Sequence, residues 1–228
     1  MECVFIPEFS SASEQLIIKG EEFRHLWALR LREGELVMLT NGEGICGIAR
    51  IHRVSKNEAE VSIIEILPDY GENKVRVGLA VGILDSRERM EFALEKSVEL
   101  GVTDFYPITC EFSQKQTVST ERLQSKAIAA MKQCKRSRLP TIHNPMSVKQ
   151  LLENTSEWEK VIIGDTNGIQ ISNTVGKKST LVVIGTEGGF SPKELVYLKE
   201  DPRTILISLG NRRLRAETAS IVALSLLI

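Results

Sequence analysis

Paired cysteines, clustered histidines and long apolar runs are all missing from this chain, and each absence removes a class of function. The four cysteines, Cys3, Cys46, Cys110 and Cys134, form no CxxC pair. Neither a zinc ribbon nor a thioredoxin-type motif is therefore expected, and reduced thiols in a cytoplasm are. The three histidines are scattered, which leaves no metal site in prospect. No apolar run approaches the roughly 18 residues that a membrane span requires. The opening segment MECVFIPEFS lacks a basic start followed by a long apolar core. The expectation is a cytoplasmic protein with no secretory signal and no membrane partner. The glycine-rich loop at 185–190 is neither a GxGxxG nor a Walker A loop, which argues against a dinucleotide or nucleoside-triphosphate site there. Net charge is only −1, so the molecule as a whole has no general pull on nucleic acid.

What is present is a chain of 228 residues with an apolar fraction of 42 %, sufficient for one large domain or two small ones with a real core. Charge is concentrated locally. Between positions 126 and 138 stand Lys126, Lys132, Lys135, Arg136 and Arg138 with no acid among them, and Arg212, Arg213 and Arg215 form a second group. Two readings stay open for each group: cations complementing a helix C-terminus, or a patch for a localised anionic partner.

The first ~70 residues read as mostly β. ELVMLT, ICGIARIHRV and AEVSIIEIL have strand character, EEFRHLWALRL has helical spacing, and Asn41-Gly42 marks a hairpin turn because both residues tolerate φ > 0. Short strands with tight turns suggest a small barrel over residues 1–70, and the polar PDYGEN segment (68–73) reads as a linker. From residue 74 to 228 strands alternate with helices, the pattern of an α/β domain with a parallel sheet. VRVGLAVGIL is apolar nearly throughout, as a strand buried on both faces would be. Asp85-Ser86-Arg87-Glu88 reads as a capping box with Asp85 at the N-cap, and Gly101 ends that helix. A long helix runs from about Thr120 to Lys135. KVIIGD, TLVVIG and TILISLG are further apolar strands, and Ser191-Pro192-Lys193-Glu194 opens another helix with Ser191 at the N-cap and Pro192 at N1.

Ligands of open parallel sheets bind beyond the C-terminal strand ends, so two turns stand out. After TLVVI comes Gly185-Thr186-Glu187-Gly188-Gly189-Phe190, where three glycines let the backbone approach a ligand closely. After TILIS comes Leu209-Gly210, followed by the arginines. If those two strands are neighbours, the turns would form one shallow pocket for a flat, polar molecule. Glu217 falls in the first turn of the last helix, where the helix dipole would stabilise a carboxylate.

These segments resemble a known family. Residues 185–189 look like the G-P-E-G-G-[FL]-[ST]-x-x-E loop of the SPOUT methyltransferases, and LGNRRLRAETA resembles their LGxRxLRxETA segment. EKSVELGV (95–102), KQCKRSRLP (132–140) and HLWALRLREGE (25–35) are similar to QKxTELGV, EQxxRxxxP and HLxxVLRxxxGD, the last from an N-terminal PUA-like barrel. Five motifs in order point to the ribosomal RNA small subunit methyltransferase E family, uridine-N3 methyltransferases of small-subunit (16S) ribosomal RNA. The resemblance implies an N-terminal PUA-like β-barrel for RNA binding and a C-terminal SPOUT-type α/β domain with a parallel sheet and a deep trefoil knot. It implies S-adenosylmethionine as cofactor, homodimerisation with each site near the subunit interface, and no metal. Carried over residue by residue, it gives Gly185, Glu187, Gly188, Leu209, Gly210, Leu214, Glu217 and Thr218 as cofactor-binding, and Arg215 as the catalytic candidate. His25, Arg30, Gln133, Arg136, Arg138 and Arg212 become RNA-binding candidates. Arg213 falls where the motif is open, so a solvated role fits it. Several positions depart from the family pattern: Thr186 for Pro, Ala216 for Thr, Lys135 for Gly, Phe112 for Arg in ERS, and Cys3 for an early Arg. The Phe112 and Cys3 changes put parts of the RNA-contacting surface in question, and Thr186 predicts a less rigid loop.

Uridine N3 carries a proton and is buried in base pairing, so the base must be exposed. The negative charge left on O2 and O4 must also be stabilised. Arg215 could do this or clamp a flanking phosphate, and a dipole-stabilised Glu217 would be a poor base. Other readings are a SPOUT enzyme acting on transfer RNA or another ribosomal nucleotide, a non-catalytic RNA-binding protein, and, on fold analogy alone, an oxidoreductase.

Overall fold

The computed structural model describes residues 1–170 and 178–228. In chain order its elements are β1 (Cys3–Phe5), β2 (Gln15–Lys19), α1 (Gly20–Ala28), β3 (Leu36–Thr40), β4 (Ile45–Val54), β5 (Glu58–Pro68), β6 (Val77–Gly82), α2 (Arg87–Glu99) and β7 (Asp104–Thr109). They continue as α3 (Thr120–Cys134), β8 (Thr141–Ile142), β9 (Met146–Ser147), α4 (Val148–Asn154), β10 (Lys160–Gln170), β11 (Thr180–Ile184), α5 (Pro192–Glu200), β12 (Thr204–Ser208) and α6 (Ala216–Ser225). These group into two compact units, Met1–Glu72 with Ile128–Leu139, and Asn73–Ala127 with Pro140–Ile228.

In the first unit the alternating apolar residues of the early strands face one core. Val4, Ile18, Val37, Leu39, Ala49, Ile51 and Val61 meet there, joined by Phe23 and Leu26 of α1. The sheet order is β1-β3-β4-β5-β2, with β1 parallel to β3 and the other pairs antiparallel. Register shifts at Ile48/Ala49 and Ile51/Arg53 are the kind of irregularity that bends a strand, and the sheet curls into a half-barrel. The β3–β4 turn differs from a two-residue hairpin. Gly42 (φ 74°) and Gly44 (φ 106°) take the left-handed positions, whereas Asn41 does not. Asn41 is buried, and its Oδ1 accepts the N–H groups of Glu43 (2.8 Å) and Ile45 (3.0 Å). Cys3 lies buried in β1, where burial pushes its thiol up to about 12, so it is an inert core residue.

The end of α3 explains one departure from the family pattern. Lys135 has φ 60°, and its N–H donates to the Lys132 carbonyl while that of Arg136 donates to the Met131 carbonyl (both 3.2 Å). This is a Schellman closure with Lys135 at the left-handed position that glycine usually fills. A Cβ there costs energy, so Lys135→Gly is expected to stabilise the protein by about 0.5–1 kcal/mol. Urea unfolding midpoints check this; an unchanged or lower midpoint would refute it.

Arg136 follows, and the structure corrects its assignment as an RNA contact. It is 2 % exposed. Its Nη2 lies 2.6 Å from Glu72 Oε2 and its Nε 3.2 Å from Oε1. The Glu72 carboxylate also accepts from Ser137 Oγ (3.2 Å) and the Arg138 N–H (2.8 Å). A side chain so enclosed is a buried structural ion pair, not a surface cation.

The second unit holds an all-parallel sheet in the order β12-β10-β11-β6-β7-β8, with β9 also on β7. β6 and β11 are buried at every position, as their unbroken apolar runs predict. The core includes Ala80, Tyr106, Trp158, Val161, Ile163, Leu181, Val183 and Leu198. α5 begins as expected, with Ser191 and Glu194 forming the capping box and Pro192 in the first turn. α2 begins one residue later than expected. Ser86, not Asp85, is its N-cap and accepts the Arg89 N–H (3.3 Å). The third helical position is thus Arg89, and Glu88 meets the cap as an acceptor from Ser86 Oγ (2.9 Å). Among the described residues, no helix is long and apolar enough to cross a membrane.

Candidate active site

The sheet order settles how the two glycine turns meet. β11 and β12 are not neighbours, because β10 runs between them. The turns therefore converge across a third strand at its register shift between Gly164 and Ile169, and Gly164 and Asp165 of β10 enter the site. A cleft of about 670 Å³ is lined by Arg89, Gly164, Asp165, residues 184–190, Leu195, residues 213–216 and Ala219. A recess of about 110 Å³ adjoins it, lined by Leu209, Gly210 and Arg212 and sharing Gly164, Asp165, Arg213, Leu214 and Ala219. Together they form one concave surface at the strand ends, where open parallel sheets carry ligands.

The 185–190 loop folds back on itself. The Gly189 N–H donates to the Thr186 carbonyl (2.9 Å) and Thr186 Oγ1 to the Gly189 carbonyl (3.4 Å). Thr186 is buried, so the loop that lacks the usual proline is closed by its own hydrogen bonds. At Gly185 a Cβ would stand 2.9 Å from the Gly189 carbonyl carbon, so the fold-back excludes any side chain there. Phe112, nearly half exposed, packs on Gly188, where a Cβ would come 3.0 Å from its own. Gly210 has φ 116°, and no atom stands within 4 Å of where its Cβ would be; its N–H donates to Ser208 Oγ (3.4 Å).

Arg89 organises the charges. Its Nε and Nη2 donate to Glu217 Oε1 and Oε2 (2.9 and 2.6 Å), and its Nη1 to Glu187 Oε1 (2.7 Å). One guanidinium thus ties the glycine loop to α6 in the bidentate geometry that favours arginine over lysine. Arg213 Nη2 donates to the Glu187 carbonyl (2.9 Å), so it has a role beyond the solvated one read from the motif. Burial pushes the Glu217 carboxyl up. The Arg89 hydrogen bonds, the backbone N–H at the helix start and the charges of Arg89 and Arg215 outweigh this and hold it below its ordinary value. Glu217 is therefore a poor base because of Arg89 more than because of the helix dipole.

That depressed value has a pH consequence. The pair's stabilisation is fully present above the carboxyl's ordinary value of 4.5 and is lost as pH falls through its lower folded value. Glu217→Gln should be less stable than the parent near neutral pH. It should also lose less stability on acidification below about pH 4.5. Urea midpoints of both proteins at neutral and acid pH test this, and parallel losses would exclude it.

The structure gathers Gly185, Glu187, Gly188, Leu209, Gly210, Arg212, Leu214 and Arg215 around the cleft and its recess. It does not bring Glu217 or Thr218 to the lining. Glu217 is buried in its pair with Arg89, and Thr218 is exposed on α6. Arg215 is exposed, lines the cleft and stands at the N-cap of α6. Of the other candidates, all in the first unit, His25, Arg30 and Gln133 are exposed; His25 Nε2 lies 3.6 Å from Glu2. Arg138 is half exposed and paired with Asp69 at 2.6 Å. Sequence reasoning missed Arg89, Gly164 and Asp165. The last two carry the same signal as the other glycine turns, an apolar run (VII) followed by Gly. Arg89 carried none beyond its place in a helix start. Among the described residues, no group of three or more His, Cys, Asp and Glu side chains is placed to hold a metal ion.

Residues 71–228 match the family model for an RNA methyltransferase domain, and residues 18–64 that for an RNA methyltransferase PUA domain. The ribosomal RNA small subunit methyltransferase E of Mesomycoplasma hyopneumoniae is 32 % identical over 218 residues, covering 91 % of this chain and 94 % of the relative. That of Rickettsia conorii is 30 % identical over 204 residues, covering 86 % and 82 %. The crystal structure of the Neisseria gonorrhoeae ribosomal RNA small subunit methyltransferase E bound to S-adenosylmethionine superposes with a TM-score of 0.89 at 28 % identity. It covers 99 % of this chain and 95 % of that one. A Legionella pneumophila methyltransferase in complex with the same cofactor gives 0.84 at 30 %, covering 98 % and 95 %. On the match of its fold, its motifs and most of its length, this chain belongs to the ribosomal RNA small subunit methyltransferase E family of RNA methyltransferases.

Proposed function

We propose that this protein methylates N3 of a uridine in small-subunit ribosomal RNA, with S-adenosylmethionine as methyl donor. The observation that carries the reading is the cleft beyond the end of β11 and beside the irregularity of β10, whose walls are backbone-rich loops beside an exposed arginine. Its volume of about 670 Å³ falls in the range of small-molecule sites. The fit is chemical as well. With no side chain at Gly185 or Gly210, and open space on the Cβ side of Gly210, a ligand can approach the main chain closely. Residues 185–190, Leu209, Gly210 and Leu214 would hold the cofactor, with Asp165 at the shared wall. When bound, the cofactor supplies an activated methyl group on a sulfonium.

The chain's own residues do the rest. Arg215 would face the uracil O2 or O4 and stabilise the charge that builds there as N3 loses its proton. Arg89 holds Glu187 and Glu217 in fixed positions, so the loop keeps its shape while the base is seated. In this reading residues 1–70 form the RNA-binding domain, exposing His25, Arg30 and, from the 128–139 segment, Gln133 and Arg138. Residues 74–228 form the methyltransferase domain, with a trefoil knot at its C-terminal strands, as the family resemblance implies. The same reading makes the protein a cytoplasmic homodimer acting on ribosomal RNA without a metal.

The test is direct. Small subunits or their RNA from a strain lacking the gene are incubated with the protein and labelled S-adenosylmethionine, and modified nucleosides are separated by mass spectrometry. One new N3-methyluridine is expected. Methyl transfer to transfer RNA alone, or at another base position, would refute the reading. Thermal shift gives an independent check: S-adenosylmethionine and its demethylated product should stabilise the protein, and NAD should not.

A further inference from the structure

The two tryptophans of this chain have opposite fates. Trp158 is wholly buried, whereas Trp27 is 57 % exposed. Trp27 occupies a position that the helical motif HLxxVLRxxxGD leaves open. It projects from α1 into a surface hollow of about 340 Å³ lined by Gly20, Phe23, Arg24, Trp27, Lys56 and Asn57. Phe23, one helical turn earlier, is buried and holds the indole from beneath, with ring centroids 5.8 Å apart and planes tilted by 41°. The indole is thus a rigid plate, and its use as a contact surface costs little side-chain entropy. Arg24 and Lys56 stand on the rim, both exposed. Among the described residues, no carboxylate lines the hollow. The nearby Glu21 lies 3.6 Å from Arg24, with both side chains more than 70 % exposed, a contact too solvated to hold the guanidinium.

We propose that Trp27 is a stacking platform for an unpaired RNA base, with Arg24 and Lys56 taking the phosphates on either side of it. An aromatic plate flanked by exposed cations is the chemistry that single-stranded RNA selects, because every base has a π-face and every linkage a negative charge. A protein partner would seek a wider apolar patch than one indole set among charges. The inference rests on the RNA-methylating function proposed above and adds a grip on single-stranded RNA within the first unit. Trp27 therefore recognises the substrate's strand state and takes no part in methyl transfer.

The buried Trp158 makes the test internal to the protein. The full-length chain is titrated with single-stranded oligouridylate while tryptophan emission is recorded. Stacking should quench the red-shifted, solvent-exposed component and leave the blue component of Trp158 unchanged. A duplex RNA, whose bases are already stacked, should quench far less. Trp27→Ala should abolish the quench and weaken oligouridylate binding roughly tenfold. Trp27→Phe should abolish the quench yet bind closer to the parent. Replacing Arg24 and Lys56 by Ala should lower the salt dependence of binding by about one unit of slope for each cation removed. Binding of oligouridylate without quenching, or equal affinity of Trp27→Ala and the parent, would overturn the platform while leaving rRNA methylation standing. A protein that neither binds RNA nor transfers methyl groups to it would instead overturn the function beneath the proposal.

Discussion

Arg215→Ala is expected to slow methyl transfer by about 10²–10³-fold while leaving affinity for S-adenosylmethionine nearly unchanged. The expectation follows from where the residue stands. Arg215 lines the cleft at the start of α6, whereas the backbone-rich walls belong to the 185–190 and 209–210 turns. Loss of its side chain removes a cation but not the loops. Uracil N3 becomes nucleophilic only as its proton leaves, and the charge then resides on O2 and O4. A preorganised guanidinium near those oxygens lowers the cost of that step most where water is excluded. Two further observations separate this role from that of a phosphate clamp. If Arg215 stabilises the deprotonated base, raising pH should partly restore Arg215→Ala, because the solvent then removes the proton that the enzyme no longer helps to release. Arg215→Lys should recover only part of the rate, because an ammonium is a point charge without the planar fork. A phosphate clamp would appear instead as a higher KM for RNA and a shallower salt dependence, with turnover kept. A variant with normal turnover and normal RNA affinity would eliminate both roles. Single-turnover methylation measured across pH, with cofactor binding measured separately, decides among them.

What the sequence made legible was local. Helix starts such as Ser191-Pro192-Lys193-Glu194 are legible because cap, first-turn proline and returning glutamate lie within four residues. Buried strands such as Thr180–Ile184 are legible because burial on both faces demands an unbroken apolar run. The glycine turns were legible because close backbone approach demands a missing side chain. Illegible were the pairings between residues distant in sequence. Arg89 and Glu217 are 128 residues apart, and nothing in either segment announces the other. By sequence Glu217 is a carboxylate on a helix dipole, yet its dominant stabilising partner is a guanidinium from another helix. Strand order was equally hidden: the placing of β10 between β11 and β12 brings Gly164 and Asp165 into the cleft. The basic segment 126–138 shows the same limit from the other side. Composition reports five cations there, but not that Arg136 is enclosed while Gln133 beside it is exposed.

Glu72→Ala is expected to destabilise the protein by about 3–5 kcal/mol, the cost of leaving a buried guanidinium without its carboxylate. The pair is among the most enclosed in the described structure, with the Arg136 side chain 2 % and that of Glu72 7 % exposed. The same carboxylate accepts from Ser137 Oγ and from the Arg138 N–H, so its removal takes an acceptor from three donor groups at once. The segment it anchors also supplies carbonyls of Arg136 and Ser137 that accept from Thr40 Oγ1 (3.2 and 3.5 Å). Loss of Glu72 should therefore loosen the junction of that segment with the half-barrel as well as the ion pair. Arg136→Met should cost less, because an apolar side chain of similar length fills the space and leaves a carboxylate with two remaining donors. The double replacement of Arg136 by Met and Glu72 by Leu should recover part of the loss seen in Glu72→Ala, as replacement of a buried pair by apolar groups often does. Chemical denaturation of Arg136→Met, Glu72→Leu and the double variant gives the cycle, with a coupling energy well above that of exposed pairs. RNA binding supplies the second readout. Arg136→Met should retain the parent's salt dependence at temperatures where it is folded, because an enclosed arginine releases no counterion from a phosphate. A fall in that slope with stability preserved would return Arg136 to the RNA-facing surface.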